Sequence, residues 1–268
     1  MKLAFLFVFL AQIVPFAIAS AVLLALLFAF DRAWSAHARE ESPRWGGMDV
    51  LATFAVWFGT SILAQFLLRG AEDPTFFVAH VLTSLATIAF MVFTVTKRYG
   101  HSLRKLGWLP SPPRNGLVLF GALLLAYLPL ALVSGAWTAV LVILGQDPEL
   151  QAPVEKFRQG LEDGDVVTIV LLILSAVVIA PLWEEMFFRG LFQGFLRRHL
   201  RPLTAIIASA VFFAWVHGSS VLVPILGVGL ILGFIYERTR NLLDAVLFHS
   251  LFNASQLAVL IYTSGGTP

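Results

Sequence analysis

The chain of 268 residues contains no cysteine. Disulfides, thiolate metal sites and a cysteine nucleophile are excluded together. Charge is scarce as well. Asp, Glu, Lys and Arg make up 13% of the residues, about half the share usual in a soluble domain. A water-soluble fold of this length needs a polar skin that so few charged groups cannot supply. Internal repeats, low-complexity stretches and Ser/Gly-rich linkers are also missing, so a single helical domain is expected. Apolar side chains are what the chain has in excess, at 59% of residues and a mean hydropathy of +0.86. The net charge of +2 and pI near 9.2 give no reason to invoke nucleic acid. In a chain this apolar, surplus Lys and Arg reflect topology across a bilayer.

A helix crossing the hydrocarbon core needs about 20 apolar residues. Eight apolar segments meet or approach that length: 3–30, 49–69, 76–96, 116–145, 165–196, 203–217, 221–237 and 242–262. They predict an all-α, polytopic transmembrane helical bundle embedded in a lipid bilayer. The first segment follows Lys2 like a signal peptide. Its apolar run continues well past Ala17–Ala21, however, beyond the about 7–15 residues of a signal h-region, so it reads as a membrane helix. Pro110, Pro112 and Pro113 mark a stiff polar loop after the third segment. Residues 1–160 carry no evident chemistry and read as a helical scaffold; 161–264 read as the functional core.

Lys and Arg alternate across the connections. The 31–48, 97–115, 197–202 and 238–241 connections hold three, five, three and two of them, and the opposite set is Lys2, Arg69, Lys156 and Arg158. The first group is therefore expected in the cytoplasm, with both termini outside. The 146–165 loop is acidic, with Asp147, Glu149, Glu155, Glu162, Asp163 and Asp165, as suits an external loop.

Ionisable residues inside a membrane helix are costly and mark function by default. In this chain they gather after residue 180. Glu185 and Arg189 are four apart with the acid first, the favourable order for a helical ion pair. Glu184 points about 100° away around the helix and has no evident charge partner. A carboxylate in apolar surroundings suits general base and acid work. A charge cluster snorkelling to a surface would look similar. His217 ends the run Phe213-Ala-Trp-Val-His217, where a satisfied interior histidine is the plainer reading. His249 and Asn253, also four apart, share one helix face. They serve either as hydrogen bonds between helices or as donors to a developing oxyanion. Gly190-x-x-x-Gly194 and Gly229-x-x-x-Gly233 suit close helix packing. Asp244 reads as an anchor for the start of the last helix.

Taken in order, Glu-Glu-x-x-x-Arg, Phe-x-x-x-His and His-x-x-x-Asn resemble the motifs of the CPBP family, the CAAX-protease and bacteriocin-processing (Abi) membrane proteins. The wording around them, Phe188-Arg189-Gly190-Leu191 and Tyr236-Glu-Arg-Thr239, fits as well. The likeness runs from about Ser175 to Gln256, roughly the last third. It implies an intramembrane endopeptidase of glutamate type acting on membrane-associated protein or peptide substrates, including lipidated CAAX-type tails. On that likeness Glu184 and His217 activate water, Glu185 and Arg189 shape the site, and His249 and Asn253 stabilise the oxyanion. The expected location is the plasma (inner) membrane of a prokaryote.

No cofactor is expected. Zinc is the alternative, held by Glu184, His217 and His249, although the one-turn spacing of His-Glu-x-x-His is missing. Gly-x-Ser-Gly and Gly-x-Gly-Asp, which other intramembrane proteases need, are missing too; Glu162-Asp163-Gly164-Asp165 lies outside a membrane core. A non-proteolytic immunity or scaffold protein would use the same residues as a structural network. A proton-coupled transporter usually shows internal two-fold repeats, and none is visible. Hydrolysis consumes water, so the site needs an opening. Arg197, Arg198 and Arg201 put the end of the motif helix on the cytoplasmic side, and access from that side is expected.

Overall fold

The computed structural model describes residues 45–68, 73–110, 113–146 and 152–264. The apolar segment expected at 3–30 lies outside these residues, as do Arg69, Asp147 and Glu149. Among the described residues every regular element is helical. Helix α1 spans Gly47–Leu67, and α2 spans Asp73–Phe93 and ends in a widened π turn at Thr94–Arg98. A short 3-10 turn at Leu103–Leu106 precedes α3, Pro113–Ile143. Then come α4 (Ala152–Asp163) and α5, the continuous helix Val166–Leu196. Next follow α6 (Pro202–Val216), α7 (Leu222–Thr239) and α8 (Leu242–Ser264).

Six of these helices are long and apolar enough to cross a membrane; α6, with 15 residues, is shorter. The surface is apolar where a soluble protein would be polar. Leu125 is 81% exposed and Ile143 83%, and Leu117, Leu124, Leu128 and Leu132 line the same helix outward. Such side chains are stable only against lipid. The chain is an integral, multi-pass membrane protein.

One connection departs from expectation. The acidic 146–165 stretch is not a simple loop, because residues 152–163 form α4. Arg158 on that helix pairs with Glu155 and Glu162 at 2.8 and 3.3 Å. Its apolar side seats the fully buried Phe157 against Phe77 of α2 and Leu172 of α5, with Leu257 and Leu260 of α8 beside them.

The core is built around α5. Phe187, Phe188, Leu191 and Phe192 are buried there against Phe212 and Phe213 of α6, Leu232 of α7 and Phe248 of α8. The rings of Phe188 and Phe213 meet edge to face, with centroids 5.0 Å apart, a favoured aromatic geometry. Helices α6 and α7 approach closely because Gly229 presents no side chain: a Cβ there would stand 3.2 Å from the Ala210 Cα.

At the end of the bundle where α2 finishes, the connection to α3 is docked rather than loose. Leu106 is fully buried, and its carbonyl accepts a hydrogen bond from the Tyr236 hydroxyl at 3.1 Å. The Leu242 amide donates to the Gly107 carbonyl at 2.7 Å. Gly107 sits at φ +83°, and a Cβ on it would lie 2.9 Å from the Tyr236 ring, so both its backbone angle and its surroundings demand glycine. Nearby, buried Asp49 caps the start of α1 and accepts from the Tyr99 hydroxyl at 2.6 Å. That bond raises the Tyr99 phenol above its ordinary pKa.

Candidate active site

Helix α5 is not uniform. Its turns widen to π geometry at Ser175–Ile179 and again at Met186–Gln193. Widened turns of this kind occur often at functional sites. The two carboxylates Glu184 and Glu185 lie between them. Carbonyls in and beside these stretches accept side-chain donors from elsewhere in the chain. Asn253 Nδ2 donates to the Ala176 carbonyl at 2.8 Å, and Ser209 donates to that of Phe188 at 3.0 Å. Trp45 Nε1 donates to the Leu191 carbonyl at 3.0 Å.

Glu185 turns into the protein and is fully buried. Its Oε2 lies 3.1 Å from Nε of Arg189, which is also fully buried. Its Oε1 lies 2.9 Å from His249 Nδ1 on α8. One carboxylate thus links the guanidinium one turn on with an imidazole 64 residues away in the sequence. Arg189 also donates through Nη2 to the Gly229 carbonyl at 3.3 Å, and its guanidinium lies over the Phe213 ring at 4.6 Å. One turn further, Gln193 Nε2 donates to the Gly233 carbonyl at 3.2 Å. This ladder fixes α5 to α7 beneath the site.

Glu184 turns the other way. Its Oε2 is buried and has no hydrogen-bond partner among the described residues. Two ring nitrogens face it: His217 Nε2 at 3.8 Å and His249 Nε2 at 4.0 Å. Both separations exceed a direct hydrogen bond. The orientation of each imidazole is set from its far side. His217 Nδ1 lies 2.7 Å from the Phe213 carbonyl, and a carbonyl only accepts, so Nδ1 carries a hydrogen there. His249 Nδ1 is held by Glu185. Each Nε2 is therefore presented to Glu184. Glu184, His217, His249 and Asn253 line a cavity of about 100 Å³, with Phe213, Ile225, Val228 and Phe252 as its apolar walls. That volume accommodates a few water molecules.

The donor set can be tested against zinc. Bonds of about 2.0–2.2 Å to oxygen and nitrogen in a tetrahedral site place ligand atoms about 3.3 Å apart. The nitrogens stand 3.8 and 4.0 Å from Glu184 Oε2, and among the described residues no three His, Asp or Glu side chains gather as metal ligands. As arranged, the set does not fit the ion.

Asp244 is buried in the first turn of α8 and accepts from Asn115 Nδ2 of α3 at 2.9 Å. It joins helices at a distance from the cavity lining. Sequence reasoning passed over His80. This histidine of α2 shares a helix side with buried Thr83, Ser84 and Thr87. The signal was available: an ionisable residue in the middle of an apolar segment.

With this geometry in hand, known proteins provide a comparison. Residues 166–255 match the family model described as type II CAAX prenyl endopeptidase Rce1-like. The stretch holds all six motif residues from Glu184 to Asn253. The UPF0177 protein YaiH of Lactococcus lactis subsp. lactis (strain IL1403) is 31% identical over 91 residues, covering 33% of this chain and 37% of that protein. The UPF0177 protein in the abiGi 5' region of Lactococcus lactis subsp. cremoris is 34% identical over 83 residues, covering 30% of this chain and 34% of that protein. Neither name states an activity, and the matches span only about a third of either relative. No solved structure matches the chain significantly.

Proposed function

We propose that the chain is an intramembrane endopeptidase that hydrolyses a peptide bond with water activated by Glu184. The observation that carries this reading is the Glu184 carboxylate: its Oε2 is buried without a hydrogen-bond partner, borders a cavity that can hold water, and is faced by two imidazole nitrogens beyond direct hydrogen-bond distance. The likeness of residues 166–255 to the CAAX prenyl endopeptidase family points to the same chemistry.

In this mechanism a water lies within hydrogen-bond reach of Glu184 Oε2 and His217 Nε2. Glu184 takes one of its protons as the oxygen attacks the peptide carbonyl carbon. The carbonyl π bond opens and its electron pair becomes the oxyanion. His249 and Asn253 stabilise that charge, His249 with a proton on Nε2 and Asn253 with the Nδ2 hydrogen not given to Ala176. Glu184 then passes its proton to the departing amine; the oxyanion's electron pair re-forms the C=O bond as the C–N bond breaks, releasing the amine and the new carboxyl end. Glu185 and Arg189 do not touch the reacting atoms. They are positioning residues that fix His249. The proposed mechanism uses no metal or cofactor. The substrates are membrane-associated polypeptides, and lipidated tails are one class to be tried.

The test is cleavage of a panel of lipidated and unlipidated peptides by purified protein in liposomes. Glu184→Gln is expected to lower turnover by about a thousandfold, within the range for loss of a general base. Unchanged cleavage would overturn the assignment. Activity should survive thorough chelation, and its loss on chelation, with recovery on adding zinc, would overturn the metal-free site.

A further inference from the structure

We infer that Gln193 is a further positioning residue of the site, and that a buried water joins its Oε1 to Nη1 of Arg189. Through that link Gln193 sets the guanidinium that holds Glu185, and Glu185 in turn holds His249. The effect on turnover rests on the proposed peptidase function. The placing of Arg189 and His249 does not.

Spacing along α5 carries the first part of the argument. Glu185, Arg189, Gln193 and Arg197 follow one another at intervals of four. The last three meet α7 at the same sequence offset of 40. Arg189 Nη2 reaches the Gly229 carbonyl at 3.3 Å, Gln193 Nε2 the Gly233 carbonyl at 3.2 Å, and Arg197 Nε the Glu237 carboxylate at 3.1 Å. A regular α-helix turns about 100° per residue, so side chains four apart overshoot a full turn by about 40° at each step. The π stretch Met186–Gln193 bonds each residue to the fifth along and winds less per residue, which offsets that drift. The widened turns therefore keep Arg189 and Gln193 on the one face that α7 covers.

Burial and hydrogen-bond balance carry the second part. Arg189 and Gln193 are both 0% exposed. Among the described residues, Arg189 Nη1 is a buried donor without a partner, and Gln193 Oε1 is a buried acceptor without one. A guanidinium nitrogen only donates and an amide oxygen only accepts. The two needs are complementary and lie on successive turns of the same helix face. Leaving either unmet is costly, and polar side chains are kept inside membrane helices mainly for a task. Water both donates and accepts, and buried waters typically bridge groups of this kind. Gly233 leaves room for the amide, since a Cβ there would stand 3.2 Å from Gln193 Oε1.

The consequence runs toward the chemistry. Arg189 is otherwise held by Glu185 through Nε, by the Gly229 carbonyl through Nη2, and by the Phe213 ring 4.6 Å away. Glu185 presents its other oxygen to His249 Nδ1 at 2.9 Å, and His249 Nε2 faces Glu184. With Nη1 tied to Gln193, the guanidinium has a contact on every nitrogen and its plane is fixed. Without that tie it can pivot about the Glu185 oxygen, and the imidazole follows. Gln193 touches no reacting atom and acts only by holding Arg189.

The test compares wild type with Gln193→Met, which keeps the length of the side chain and removes both amide groups. Phe157→Leu, in the separate apolar cluster on α4, controls for lost packing alone. In protein carrying isotope-labelled histidine, Gln193→Met is expected to move the nitrogen resonances of the His249 ring, and Phe157→Leu to leave them in place. In liposomes kcat for peptide cleavage should fall about ten- to a hundredfold in Gln193→Met, the scale of a displaced catalytic group, with KM unchanged. A structure of the wild-type protein that resolves water needs no variant to fold. It should show one water within about 3.2 Å of both Arg189 Nη1 and Gln193 Oε1. Unmoved His249 resonances, an equal movement in Phe157→Leu, an unchanged kcat, or two side chains left unlinked would overturn the inference. If the His249 resonances move as expected but wild type cuts no peptide, the positioning stands and the peptidase reading fails.

Discussion

The two neighbouring carboxylates of α5 live in opposite surroundings. Glu185 is enclosed, with Arg189 on one oxygen and His249 on the other. Glu184, one residue earlier, faces a cavity with an unpartnered oxygen. A single helical position separates a group that holds the architecture from one kept available for chemistry. On the enclosed side Glu185 is fully buried, and its partner Arg189 meets the Phe213 ring and the Gly229 carbonyl. On the open side, α6 ends at His217, whose ring lines the cavity.

The sharpest break of that contrast is to neutralise each carboxylate in turn and follow activity and thermal unfolding together. Glu184→Gln should lower hydrolysis by about a thousandfold and leave the melting temperature unchanged or raised, since a partly desolvated, unpaired charge is removed. Arg189→Met should act the other way, leaving the buried Glu185 carboxylate with His249 alone. Breaking such a pair costs about 3–5 kcal/mol, read as a large drop in Tm and in the yield of folded protein. Gly229→Ala probes the packing beneath the pair. Its Cβ would meet the Ala210 backbone and the Phe213 ring at 3.2 Å, an overpacking expected to cost about 1–3 kcal/mol and to show as a lower Tm. The smallest effect belongs to the α6–α7 turn. Trp137→Phe removes one exposed hydrogen bond to the Ser219 carbonyl, about 0.5–1.5 kcal/mol at most, and should change Tm little.

Much of this was legible in the sequence, for reasons that differ by feature. Apolar run length is a local quantity, so the segments read at 49–69, 76–96, 116–145, 165–196, 203–217, 221–237 and 242–262 correspond to α1, α2, α3, α5, α6, α7 and α8. The Glu185–Arg189 pair was readable because a four-residue spacing on a helix fixes proximity. Helix α4 was overlooked because its acidic side chains dominate the composition; the stripe Val154, Phe157 and Leu161 was the signal for it. The π turns could not be read, since nothing in apolar periodicity separates an inserted residue from a regular turn. The link from Glu185 to His249 joins two helices far apart in sequence and becomes visible only when they pack. Likewise Asn253, read as facing the oxyanion or another helix, is tied on one side to the Ala176 carbonyl that the first π stretch supplies. His80 lies within the 1–160 scaffold, yet it meets the same criterion as Glu184 and His249: an ionisable residue inside an apolar segment.

The shortness of α6 also has a mechanical consequence. Its outward residues Leu203, Ile207 and Val211 are exposed, so this short helix meets lipid directly. Acyl chains beside it must compress, or water must descend to the level of His217, and compression costs fractions of a kcal/mol per Å of mismatch. Where the acyl chains compress, the membrane beside α6 is thinner than elsewhere around the bundle. Activity is then expected to depend on the acyl-chain length of the lipids around α6, and a liposome series of graded chain length would read that dependence.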